Sequence, residues 1–148
     1  MSEVDAYKAM RDGIKRRGDR IHRMESLVVF GFPDVNMCLE GREIWIEIKS
    51  PKEPKRDSTP LFGSNHDLNV AQRNWFLAQK NAGGYAYIYI ETDKRRMLIG
   101  AEHSDNVNKM TVKQLVSVSI WVSSLNTGEE SWNQLRTELK KARSANSK

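Results

Sequence analysis

The chain holds a single cysteine, Cys38, so an internal disulfide and any cysteine-based metal cluster are excluded. It has no run of 18 apolar residues, which argues against a membrane-spanning helix. Its beginning, MSEVDAYKAM, is acidic and polar and does not resemble a secretory signal. His22, His66 and His103 share no metal-ligand spacing. Proline is scarce, and three of the four prolines fall within SPKEPKRDSTPLFGSNHD, residues 50–67. No internal repeat and no linker is visible. These absences leave a soluble, cytoplasmic protein of 148 residues, the size of one domain.

What the sequence does have is positive charge. The net charge is +5, with a pI near 9.4. The cations gather in four clusters: Lys15, Arg16, Arg17, Arg20 and Arg23; Lys52, Lys55 and Arg56; Lys94, Arg95 and Arg96; and Arg136, Lys140, Lys141 and Arg143. Charge runs are commonly plain solvated surface. Four of them in one small domain also fit a partner with a phosphate backbone, which binds through counterion release.

Residues 4–17 read as a helix, with Val4, Tyr7, Met10 and Ile14 on one face and Gly18 as the stop. LVVF, 27–30, reads as a strand or extended segment. Residues 35–40 and 43–49 form a hairpin around Glu40-Gly41. Residues 50–67 read as a mobile flap. The spacing predicts a helix over 70–82, with Ala71, Trp75, Ala78 and Ala82 on one stripe, Asn69 as N-cap and Gln72 completing a capping box. YAYIYIE, 85–91, alternates as a strand and pairs with RMLIGA, 96–101. In TVKQLVSVSIWVS, 111–123, capping residues point to a helix while the valines and isoleucine favour a strand; a helix is expected. Trp132, Leu135, Leu139 and Ala142 mark a last amphipathic helix. The order gives a mixed α+β fold, a central mixed sheet flanked by helices.

The hairpin carries the chemistry. Carboxylate–x–lysine triplets occur at Glu47-Ile48-Lys49, Glu53-Pro54-Lys55 and Glu138-Leu139-Lys140. The second sits in a proline-rich loop. The third sits in a helix, where residues two apart point away from each other. Only the first lies on a strand, where i and i+2 share a face. There Ile44, Ile46 and Ile48 face the core, while Trp45, Glu47 and Lys49 face the other way. Asp34 precedes the hairpin and can come beside Glu47. Two carboxylates suit a hard divalent ion such as Mg²⁺, and a neighbouring lysine could orient a water or steady a phosphoryl transition state. An ordinary surface salt bridge would use the same residues.

Gly31-Phe32-Pro33-Asp34 followed by Glu47-Ile48-Lys49 resembles the signature of the PD-(D/E)XK nuclease superfamily. Gln72-Arg73-Asn74-Trp75, then Gly83-Gly84 and the strand YAYIYI, resemble its VRR-NUC branch, which includes viral and resolvase-like nucleases. The likeness spans residues 20–91 and leaves 102–148 uncovered. It implies a restriction-endonuclease-like αβββαβ core at about 4–101 with a helical extension at about 111–143, one nuclease domain over 1–143 and a disordered tail at 144–148. It implies metal ligation by Asp34, Glu47 and the Ile48 carbonyl, with Glu25 as upstream carboxylate and Glu3 behind it, although Glu25 could equally be a surface residue. Lys49 becomes the catalytic lysine, and Gln72 is either a partner of the site or a structural cap. Arg16, Arg17, Arg20, Arg23, Lys52, Lys55 and Arg56 become DNA contacts. The implied activity is Mg²⁺- or Mn²⁺-dependent DNA cleavage, selective for branched or flapped DNA, in the host cytoplasm if the source is viral. Resolvase-type cutting favours a homodimer, since two strands need two centres. The alternatives are an inactive DNA-binding module on a nuclease fold, and a basic protein with no nucleic-acid role. Trp75 reads as core, the row Tyr85, Tyr87 and Tyr89 as core or sheet surface rather than a base-stacking platform, and Trp45 as either a flank of the site or a cover for the sheet.

Overall fold

The computed structural model describes residues 2–24, 31–63 and 67–141. Four helices and six strands follow in the order α1 (Glu3–Ile14), β1 (Arg20–Arg23), β2 (Val35–Leu39), β3 (Arg42–Lys49), α2 (Val70–Asn81), β4 (Ala86–Glu91), β5 (Arg95–Gly100), α3 (Val112–Val118), β6 (Trp121–Ser124) and α4 (Glu129–Lys140). Short 3-10 turns at Ala101–His103 and Val107–Lys109 join β5 to α3. The strands form one sheet in sequence order. β3 and β4 are parallel, and every other neighbouring pair is antiparallel. The mixed α+β architecture is therefore as expected.

The sheet separates two apolar layers. On one face α1 and α4 cover Ile44, Ile46, Ile48, Tyr87, Tyr89 and Leu98. On the other, α2 and α3 cover Ile88, Ile90, Met97 and Ile99, with Phe76 and Leu115 inserted. β4 is buried on both faces, as expected for a central strand beside a parallel neighbour. Tyr87 and Tyr89 are core. The β2–β3 turn forms as predicted. Glu40 (φ 49°) and Gly41 (φ 86°) both take the positive φ that a two-residue hairpin needs.

Several elements differ from the sequence reading. α1 ends at Ile14, before Gly18: Lys15 turns extended, and the Arg136 guanidinium caps the Ile14 carbonyl at 3.0 Å. The first sheet strand after α1 is Arg20–Arg23; residues 25–30, which include LVVF and Glu25, lie outside the described residues, as do His66 and residues 142–148. The predicted stripe on α2 is displaced. Phe76 is its buried residue, whereas Ala78 is exposed. Both signals in residues 111–123 were real: Thr111 caps α3 with Gln114, and the β-branched run beyond it supplies β6 at the sheet edge. The C-terminal extension is thus not purely helical.

The described part of the 50–67 segment is anchored, not a free flap. Leu61 and Phe62 are buried, and the Leu61 N–H donates to the Met110 carbonyl at 3.0 Å. Nearer Lys49, the Glu53 carboxylate accepts from Arg95 Nε at 2.8 Å and from Thr92 Oγ1 at 2.6 Å.

A candidate metal-dependent phosphodiesterase site

β3 brings Glu47 and Lys49 to the α2 face of the sheet, while Ile46 and Ile48 fill the opposite core. Both polar side chains are buried: Glu47 is 3% exposed and Lys49 7%. Lys49 Nζ stands 3.6 Å from Glu47 Oε2 and donates to the Asp67 carbonyl at 3.3 Å. Asp34, just before β2, accepts the Ile48 N–H on Oδ2 at 2.9 Å. The three residues predicted from the hairpin therefore converge. Ile48 meets Asp34 through its N–H, and its side chain is core.

The neighbouring elements fix this arrangement. Gly31 adopts φ 86°, and a Cβ there would lie 2.5 Å from the Ala71 carbonyl oxygen. The turn carrying Asp34 is thereby pressed against the start of α2 in a way that only glycine permits. Phe32 meets Trp45 and Trp75 at ring-centroid distances of 5.3 and 5.9 Å, and the two tryptophans lie 5.6 Å apart. Trp45 thus helps to lock the turn, the strand and the helix together. Trp75 lies three residues beyond Gln72 on the same helix face, so anchoring one aims the other.

Gln72 holds both roles that the sequence left open. Its backbone N–H donates to Asn69 Oδ1 at 2.8 Å, and its Oε1 accepts the Asn69 N–H at 3.0 Å, completing the capping box. Its Nε2 reaches Glu47 Oε2 at 3.1 Å. Glu47 Oε1 is left buried with no hydrogen-bond partner.

Burial pushes the Glu47 carboxyl up to about 9. The Asp34 charge adds to the shift, Lys49 opposes it, and Glu3 contributes a smaller push in the same direction. Glu3 begins α1, which packs on the opposite face of the sheet. Sequence reasoning placed Glu3 behind Glu25.

This donor set fits a divalent ion. Two facing carboxylates, with one Glu47 oxygen buried and unpartnered, form a site that a cation would complete. Among the described residues no group of three or more His, Cys, Asp and Glu side chains is arranged to hold a metal.

The predicted basic contacts separate into two regions. Arg16, Arg17, Arg20 and Arg23 are exposed. Arg20 pairs with Cys38 in register and Arg23 with Val35, so Arg23 is at the Asp34 end of β1, while Arg20 is roughly 10 Å further along, toward the β2–β3 turn. Lys52, Lys55 and Arg56 are exposed on the segment leaving Lys49. The other two clusters are largely tied up. Arg95 pairs with Glu53, Arg96 with the buried Glu91, Arg136 with Asp19 and Glu40, and Lys140 with Glu40.

The six-stranded mixed sheet and its flanking helices form a restriction-endonuclease-like α+β fold. A solved structure of Archaeoglobus fulgidus Hjc, a Holliday junction resolvase from an archaeal hyperthermophile, is similar over 89% of this chain and 96% of its own, with a TM-score of 0.53 and 16% sequence identity. No family model and no curated protein matches the chain.

Proposed function

We propose that this chain is a divalent-metal-dependent endonuclease that hydrolyses phosphodiester bonds in branched or flapped DNA. The observation that carries the reading is the buried Glu47 carboxylate, with one oxygen unpartnered, facing Asp34 and flanked by Lys49. The resolvase-like fold supports it, because a protein of similar architecture acts on four-way DNA junctions. The order of the Gly-x-Pro-Asp turn, Glu-x-Lys strand and Gln-x-x-Trp helix favours the VRR-NUC branch and a viral source.

In this reading Asp34, Glu47 and the Ile48 carbonyl would hold Mg²⁺ or Mn²⁺, and Glu3 or Glu25 would supply the upstream carboxylate. When bound, such an ion makes water more acidic and offsets charge on the phosphate. Gln72 holds Glu47 Oε2 in place. Lys49 presents its ammonium beside the same carboxylate, where it can orient the attacking water or stabilise charge developing on the phosphate. Arg23, Lys52, Lys55 and Arg56 would contact phosphates close to the cut. Arg16, Arg17 and Arg20 would follow a more distant stretch of backbone. Opposed cuts in a junction need two such centres, hence a homodimer. The protein is read as cytoplasmic; no helix of the described residues is long and apolar enough to cross a membrane.

The test is cleavage of linear, nicked, flapped and four-way-junction DNAs with Mg²⁺, Mn²⁺, Ca²⁺ or EDTA. Branched substrates should be cut fastest, in Mg²⁺ or Mn²⁺ only. Salt-sensitive binding without cutting in either metal would leave the inactive DNA-binding module. Equal cutting in EDTA would overturn the metal assignment.

A further inference from the structure

Leu68 lies between the 50–63 segment and α2. Its side chain is fully buried, and neither strand nor helix includes it. Its backbone N–H and carbonyl therefore need partners from elsewhere. Asn108, on the second 3-10 turn, supplies both. Its Oδ1 accepts the Leu68 N–H at 2.7 Å, and its Nδ2 donates to the Leu68 carbonyl at 2.8 Å. A side-chain amide carries an acceptor and donors in one plane, so a single asparagine can replace the peptide group of a missing strand. Arg73 Nη1 also donates to the Leu68 carbonyl at 2.8 Å.

The residues on either side of this clamp lead into the site. The Asp67 carbonyl receives Lys49 Nζ at 3.3 Å. Asn69 caps α2 and binds Gln72, whose Nε2 holds Glu47 Oε2. We infer that Asn108 is a positioning residue, which sets the Lys49 ammonium and the Gln72 amide through its two bonds to Leu68. The inference rests on the nuclease reading and gives residues 102–148, which the sequence resemblance does not cover, a part in it. One acceptor, the Asp67 carbonyl, and one ion-pair partner, Glu47 Oε2, place the ammonium. When the first can drift, the lysine retains only the second.

Asn108→Ala removes both bonds, and Val107→Ala serves as the control. Val107 is buried in the adjacent core, so its truncation loosens the same turn while leaving the clamp. Asn108→Asp keeps the acceptor for the Leu68 N–H and loses the donor. With Mg²⁺ and a branched substrate, well below each variant's melting temperature, single-turnover cleavage by Asn108→Ala should fall by roughly 10–100-fold, the scale of a displacement near 1 Å. DNA affinity in Ca²⁺ should stay within about twofold. Asn108→Asp should fall between wild type and Asn108→Ala, and Val107→Ala should cut near the wild-type rate.

Two readouts do not depend on cleavage. In metal-free protein, amide hydrogen exchange of residues 67–72 and acylation of the Lys49 amine by acetic anhydride should both quicken in Asn108→Ala and not in Val107→Ala. Unchanged exchange and acylation would overturn the inference, as would equal rate losses in Asn108→Ala and Val107→Ala. A wild-type protein that cuts no DNA would remove the nuclease reading, while exchange and acylation would still decide whether Asn108 positions Lys49.

Discussion

Replacing Glu47 by glutamine should make the metal-free protein less sensitive to alkali. Burial and Asp34 hold the Glu47 carboxyl up at about 9, against an ordinary 4.5. Below pH 4.5 the folded and unfolded chains both carry the proton. Above it the unfolded chain releases the proton while the folded chain keeps it, up to pH 9. Stability therefore falls as pH rises across this window and levels off above it. The slope for one group approaches 1.4 kcal/mol per pH unit, so from pH 6 to pH 8 the loss is about 2–3 kcal/mol. For a chain of this size that is a fall of roughly 5–10 °C in melting temperature. Glutamine keeps the shape and an acceptor for Gln72 Nε2 but has no proton to lose. The measurement is urea or thermal unfolding of both proteins in EDTA at several pH values, with wild type minus Glu47→Gln as the quantity read, so that titrations common to both cancel. Mg²⁺ should recover stability in wild type at pH 8, because an ion that binds the folded state stabilises it by mass action. Parallel pH profiles for the two proteins would refute the argument, since Glu47 would then be ionised in the fold.

Lys49→Ala should lose on the order of 10²–10³ in cleavage rate with DNA affinity barely changed, whereas Lys55→Ala, with the same triplet in a loop, should cut almost normally; the reverse result would move the site into the loop. Gly31→Ala should destabilise the protein by more than about 1 kcal/mol in denaturant melts, because its Cβ meets the Ala71 backbone and its φ is positive; an unchanged midpoint would mean that the turn does not press on α2. Neutralising Arg16, Arg17, Arg20 and Arg23 should weaken DNA binding and lower the slope of log affinity against log salt by about 1 for each phosphate left without its arginine; an unchanged slope would place this edge of the sheet away from DNA.

The hairpin was legible because its information is local. Strand alternation alone puts Glu47 and Lys49 on one face and the isoleucines on the other, and Glu40-Gly41 supplies the turn. The same holds for the box at Asn69 and Gln72, whose geometry is set within four residues. Periodicity did less well where the solvent boundary decides. The stripe chosen on α2 joined Trp75 to three alanines; Trp75 does pack against the core, but Phe76 is the fully covered residue and Ala78 and Ala82 face solvent, because burying a large ring removes more apolar surface than burying a methyl group. The 111–123 segment mixed two signals, and only the free edge of β5 decided where helix gave way to strand.

The tertiary structure alone decided what surrounds the carboxylate–lysine strand. Nothing near Glu47 in sequence reveals that its carboxylate is almost fully buried with one oxygen lacking a partner. Nothing near Arg136 reveals that this cation is buried against the end of α1 while Arg16 and Arg17 stay at the surface. Asn108 carries no signal at all, since an asparagine in a turn is ordinary until Leu68, 40 positions earlier, is found with its backbone polar groups needing partners. Patterns of two or 3.6 residues record which face of its own element a side chain occupies. Desolvation, ion pairing and the satisfaction of buried hydrogen bonds depend on which other elements cover that face, and chain closure over long distances decides that.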